Sequence, residues 1–65
     1  MTPTDFRTIR AGLGMTQGGL ASALGVSRRI VQYWESGERP IPETVARLMR
    51  LAASDAEILP RLKAA

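Results

Sequence analysis

Cysteine and histidine are absent from this chain of 65 residues, and lysine, tryptophan, tyrosine and phenylalanine occur once each. Without cysteine no disulfide braces the fold, and the lack fits a reducing compartment. Without cysteine and histidine the usual zinc ligands are missing, and with histidine goes the commonest general base. Ser27 and Ser36 therefore have no histidine to activate them. Asp5, Glu35, Glu38, Glu43, Asp55 and Glu57 show no clustered spacing for a metal or an acid–base pair. The expectation is a protein that is not an enzyme and uses neither metal nor cofactor. Apolar runs extend for only a few residues, too short to span a bilayer. The N-terminus lacks the basic-then-apolar layout of a signal peptide, which points to the cytoplasm. Strand-like alternation of β-branched with polar residues is also missing, as are Asn-Gly and Asp-Gly hairpin turns.

What remains is a small, basic chain with helical spacing. Residues 1–65 fit one domain, and a chain this short buries only about 60% of the surface its unfolded form exposes. A homodimer is the natural way to add buried area. Nine cations against six anions give a net charge of +3. Eight of the nine cations are arginine, whose fork suits phosphate and guanine. That balance permits a nucleic-acid partner without requiring one, since +3 is also an ordinary solubility charge.

The spacing predicts an all-α fold of five helices. Thr2-Pro3-Thr4-Asp5 reads as a cap, a first-turn proline and an acid at the start of helix 1. Phe6, Ile9 and Leu13 form its inner face, and Gly12 and Gly14 mark its end. Thr16 caps helix 2, which carries Leu20, Ala21 and Leu24 inward and stops at Gly25. Ser27 caps helix 3, with Val31 and Trp34 inward and an end at Ser36-Gly37. After the rigid turn of Arg39-Pro40-Ile41-Pro42, Pro42 serves as the first residue of helix 4, whose buried stripe is Val45, Leu48, Met49 and Ala52. Ser54 to Glu57 reads as a capping box opening helix 5, which Pro60 should kink or split.

Residues 17–36 hold the informative pattern. Two short helices meet at Gly25, which tolerates positive φ, and Ala21 supplies the small residue that a steep, close crossing needs. Leu20, Leu24, Val26, Val31 and Trp34 fasten both helices to the rest and leave one face of helix 3 free. This is the physical description of a helix-turn-helix. The free face holds Arg28, Arg29, Gln32 and Tyr33, with Ser27 at its tip. Arginine donates a fork to guanine O6 and N7, and glutamine pairs with adenine N6 and N7. Thr16, at a helix start, and Arg39, just past helix 3, are candidate phosphate contacts. A solvated arginine pair on a surface helix is the bland alternative for Arg28-Arg29, and the surrounding pattern outweighs it.

The run Met15-Thr16-Gln17, Leu20-Ala21, Leu24-Gly25-Val26-Ser27, Val31, Trp34-Glu35 and Gly37 resembles the phage-repressor and Cro-like helix-turn-helix family, often called the XRE family. Matches fall between Arg10 and Leu48. The resemblance implies a five-helix repressor-like DNA-binding domain, usually a homodimer on an inverted repeat and usually a transcriptional repressor. It implies that Gln17 contacts phosphate at the start of helix 2 and that Ser27, Arg28, Arg29, Gln32 and Tyr33 read bases. It also implies an ion pair between Arg10 and Glu35 that ties helix 1 to helix 3.

The chain departs from the family where Gly18-Gly19 replaces a pair of glutamates common in members. These glycines are either weak helix positions or a gain for binding, since two acids near DNA are gone. Ile30, where a polar residue is usual, either fills a gap beside Trp34 or touches a thymine methyl. The reading is a repressor, with its own operon a candidate target, similar to small regulators of bacterial or phage operons, including some linked to anti-CRISPR genes. An antitoxin or a protein-interaction module that keeps the fold is the alternative. The lack of a second domain or a long tail favours the stand-alone regulator. Leu51, Ile58, Leu59 and Leu62, within a candidate dimerisation region 51–63, exceed what so small a core needs and are the candidate dimer surface.

Overall fold

The computed structural model describes residues 1–64, with side chains through Arg61, and its regular structure is entirely helical. Five helices follow in order: α1 (Pro3–Gly12), α2 (Gln17–Leu24), α3 (Arg28–Ser36), α4 (Glu43–Ser54) and α5 (Ile58–Ala64). None is long and apolar enough to cross a membrane.

The first three helices start where a hydroxyl is available. Thr2 Oγ1 accepts from the Asp5 N–H at 3.1 Å, Thr16 Oγ1 from Gly19 at 2.9 Å and Ser27 Oγ from Ile30 at 3.2 Å. Each bond satisfies an otherwise orphaned first-turn donor, worth about 1 kcal/mol. Two of the stops rest on glycine. Gly25 at φ 73° ends α2 and Gly37 at φ 83° ends α3, in a left-handed region that a Cβ makes costly. Only residues 25–27 separate α2 from α3, and the two helices pack directly on each other.

Phe6, Leu20, Val31, Met49 and Leu59 form the fully buried centre. The edge of one aromatic ring meets the face of another where Phe6 and Trp34 pack at 5.8 Å and 67°. α3 packs on α1 and α2, α4 packs on α1, and α5 closes the far side of α2. Buried alanines at 21, 46 and 52 let these short helices approach closely.

Three expectations change in the C-terminal half. Pro42 is the N-cap of α4 rather than its first helical residue, so the helix begins at Glu43. Its buried stripe is Ala46, Met49 and Ala52, while Val45 and Leu48 lie half-buried at the margin. Ser54 does not open a helix. It is the last residue of α4, its hydroxyl bonded back to the Arg50 carbonyl at 3.5 Å. Asp55 is instead the C-cap of α4, and its Oδ1 accepts from the Glu57 N–H at 3.0 Å in the turn before α5. α5 therefore starts later, and Pro60 falls in its first turn, where its missing N–H has no carbonyl to lose.

The later start also changes the candidate dimer surface. Leu59 is fully buried in the core of its own chain, where it anchors α5, and so cannot face a second copy. Leu51 is 54% exposed, the only large apolar side chain so exposed among the described residues, and Ile58 is half-buried. The side chain of Leu62 lies outside the described residues.

Gly18 and Gly19 differ in what a side chain would meet. A Cβ at Gly18 meets nothing within 4 Å, whereas one at Gly19 lies 3.1 Å from the capping Thr16 Oγ1. Gly18→Ala is therefore expected to raise stability by about 0.5–1 kcal/mol through backbone entropy alone. Gly19→Ala should gain less, because the cap must yield. Thermal unfolding of the two variants checks this, and an equal gain from both would show that the cap is slack.

Candidate nucleic-acid interface

α3 presents its first turn outward because Val31 and Trp34 are drawn inward. Ser27, Arg28, Arg29 and Gln32 are exposed, and Tyr33 is half-buried at the edge of the core. The structure thus brings all five sequence-derived base-reading candidates onto one helix and its cap. Neither Arg28 nor Arg29 forms an ion pair with any described residue. Ile30 is half-buried and packs against the core.

Arg39 lies just past α3. Its guanidinium stacks over the Tyr33 ring, with Cζ 5.0 Å from the centroid, and its backbone N–H donates to the Tyr33 carbonyl at 3.4 Å. A cation over an aromatic face is held without losing its charge, and its N–H groups stay available for an anion. Thr16 is exposed, but its hydroxyl oxygen is already engaged as the α2 cap.

Arg10 and Glu35 join behind this surface. Arg10 Nε donates to Glu35 Oε2 at 2.6 Å and Nη2 to Oε1 at 3.2 Å, a forked geometry. The Glu35 side chain is 5% exposed and the Arg10 side chain 19%. Arg10 Nη1 also donates to the Met15 carbonyl at 2.9 Å, which fixes the loop before α2. Burial by itself raises the Glu35 pKa. Hydrogen bonds from Arg10 and Gln17, with the charges of Arg10 and Arg7, outweigh burial and hold it below the ordinary glutamate value. Among the described residues, no buried side-chain polar atom lacks a partner.

Sequence reasoning missed two members of this site. The first is the bond from Gln17 Nε2 to Glu35 Oε1 at 3.0 Å, which joins two separately assigned roles. The second is Arg7, exposed on α1, whose charge is felt at Glu35. Its signal was present one helical turn before Arg10, on the same face.

No curated protein matches the chain. A family model described as helix-turn-helix matches residues 6–53, from the core phenylalanine of α1 to the last turn of α4. That span holds the α2–α3 pair, the exposed first turn of α3 and the Arg10–Glu35 pair. The chain belongs to the XRE-type helix-turn-helix family of DNA-binding transcription regulators.

Proposed function

We propose that the protein is a sequence-specific repressor that binds an inverted-repeat operator as a homodimer. The observation that carries the reading is the first turn of α3. It is exposed, hydroxyl-capped and cationic, and its two arginines have no ion-pair partner among the described residues. Two such turns, related by a twofold axis, read half-sites about one helical turn, ~34 Å, apart. Arg28, Arg29 and Gln32 read base edges, with Ser27 at the tip and Tyr33 at the margin. Gln17, Arg39 and the capped helix start at Thr16 face the phosphates. Leu51 on α4, which is exposed, and Ile58 on α5, which is half-buried, are the apolar side chains offered to the second copy.

Binding measured against salt tests the phosphate contacts. Each neutralised phosphate contributes about 0.9 to the slope of log K against log salt. Arg39→Ala should weaken binding to every duplex alike and lower the slope by about 1. Tyr33→Ala should do nearly the same by releasing Arg39, while Tyr33→Phe keeps the stack and the slope. If Tyr33→Ala instead changes which sequence is preferred, Tyr33 acts as a base reader. An affinity independent of salt would favour a protein partner over DNA.

The dimer is tested by Leu51→Glu, a change on an exposed side chain that leaves the core intact. The variant should sediment as a monomer and hold only a half-site, weakly. A Leu51→Glu protein that remains a dimer and grips the full repeat places the interface elsewhere.

A further inference from the structure

The Glu35 carboxylate has more partners than its ion pair needs. Arg10 alone satisfies it with a fork, yet Oε1 also accepts from Gln17 Nε2 at 3.0 Å. One buried acid therefore joins α1, α2 and α3, and through Arg10 the Met15 carbonyl as well. Gln17 is the first residue of α2, half-buried, and the turn it opens continues with the bare backbone of Gly18 and Gly19. Its amide carries two N–H donors, and Glu35 uses one.

We propose that Glu35 is a positioning residue for DNA binding, holding the Gln17 amide so that its remaining N–H is oriented for a backbone phosphate before DNA arrives. The proposal rests on the DNA-binding reading and adds a role for an acid that touches no DNA. A free glutamine gives up its rotamer freedom when it grips a phosphate. A glutamine already fixed by Glu35 has lost that freedom on folding, so less is lost on binding. The charge of the acid is compatible with a phosphate nearby. Arg10 neutralises it at contact and Arg7 adds a further positive charge from α1. Arg10 thus acts one step further back, by orienting the acid that orients the amide.

A double-mutant cycle separates positioning from a merely structural role. Wild type, Glu35→Gln, Gln17→Met and the double variant are compared on one duplex, selected by the wild-type protein from a random-sequence pool. All are measured at a temperature where circular dichroism shows each to be folded. Each single change is expected to weaken binding about tenfold, the effect of misplacing one charge-assisted hydrogen bond. The double variant should bind within about twofold of Gln17→Met alone, because Glu35 acts through Gln17. If Glu35→Gln costs the same factor with and without the Gln17 amide, the positioning role is overturned and DNA binding stands. A wild type that enriches no duplex fails the DNA-binding reading itself.

If Glu35→Gln does not fold, the wild-type side-chain amide of Gln17 gives the answer by NMR. Its two Nε2 protons should be distinct and slow to exchange in the free protein, and one should shift when the selected duplex is added. An averaged, rapidly exchanging pair, or no response to the duplex, would overturn the proposal.

Discussion

Glu35→Ala is expected to bring the protein to the margin of unfolding at room temperature, although the residue lies in the last turn of α3, past the exposed Arg28, Arg29 and Gln32. The change leaves the Arg10 guanidinium, on a side chain four-fifths covered, holding only its bond to the Met15 carbonyl. It also strips the Gln17 amide of its acceptor. Breaking a buried pair from one side costs about 3–5 kcal/mol, since the stranded charge remains. Total stability of small domains starts at about 5 kcal/mol, so the loss takes most of it. The two exposed pairs at Glu43, to Arg47 at 3.7 Å and Arg50 at 3.1 Å, set the contrast. Their members are more than half exposed, and Glu43→Ala should shift the melting temperature little.

The same acid sets a pH dependence whose sign follows from its lowered pKa. The folded protein holds Glu35 ionised more firmly than the unfolded chain does. Its contribution is therefore present above the unfolded value, about 4.3, and is lost as pH falls through the lower folded value. Acid unfolding curves should show stability falling below about pH 4.3, and Glu35→Gln should flatten that limb while lowering stability at neutral pH. Identical acid limbs in the two proteins would show that the carboxylate gains nothing from its partners.

The largest loss of DNA affinity is expected from Arg28 and Arg29. Each is exposed in the first turn of α3 and makes no ion pair with a described residue, so truncation to alanine leaves the fold and melting temperature essentially unchanged. A forked arginine–guanine contact is worth about 1–3 kcal/mol of discrimination, so each substitution should weaken operator binding by roughly 5- to 150-fold. The signature is in the pattern as much as the size. Each variant should relax the preference at its own base positions, whereas Arg39→Ala weakens all sequences equally. In a dimer every substitution acts twice, so the full repeat loses more than an isolated half-site. Binding titrations against single-base variants of the operator check this. Uniform weakening with unchanged preference would move both arginines to the phosphates.

Much of the fold is legible in the residues, and the parts that are not have physical causes. The first three helices can be bounded from sequence because each carries a hydroxyl cap, and α2 and α3 also end at a left-handed glycine, signals that act within a few residues. α4 and α5 lack such a cap–glycine pair, so spacing misplaces their bounds. Ser54-x-x-Glu57 looks like a capping box, but the α4 ladder runs through Ser54, and Asp55 is the C-cap of α4, its Oδ1 bonded in the turn before α5. Spacing puts Leu59 at the surface because counting apolar residues cannot say how many a core absorbs. α5 turns back onto α2, and the core takes Leu59. The exposed turn of α3 can be placed from spacing alone, since Val31 and Trp34 fix its rotation. The Gln17–Glu35 bond cannot, because it spans 18 positions and depends on how α2 crosses α3.

The central claim is that the first turn of α3 reads base sequence. Selection of duplexes from a random pool by the wild-type protein, repeated with Arg28→Ala and Arg29→Ala, tests it most directly. The expected result is one enriched inverted repeat for the wild type, with each variant enriching the same half-site spacing but losing preference at defined symmetric positions. A wild-type pool without an enriched motif, or variant pools with the wild-type motif intact, would contradict it.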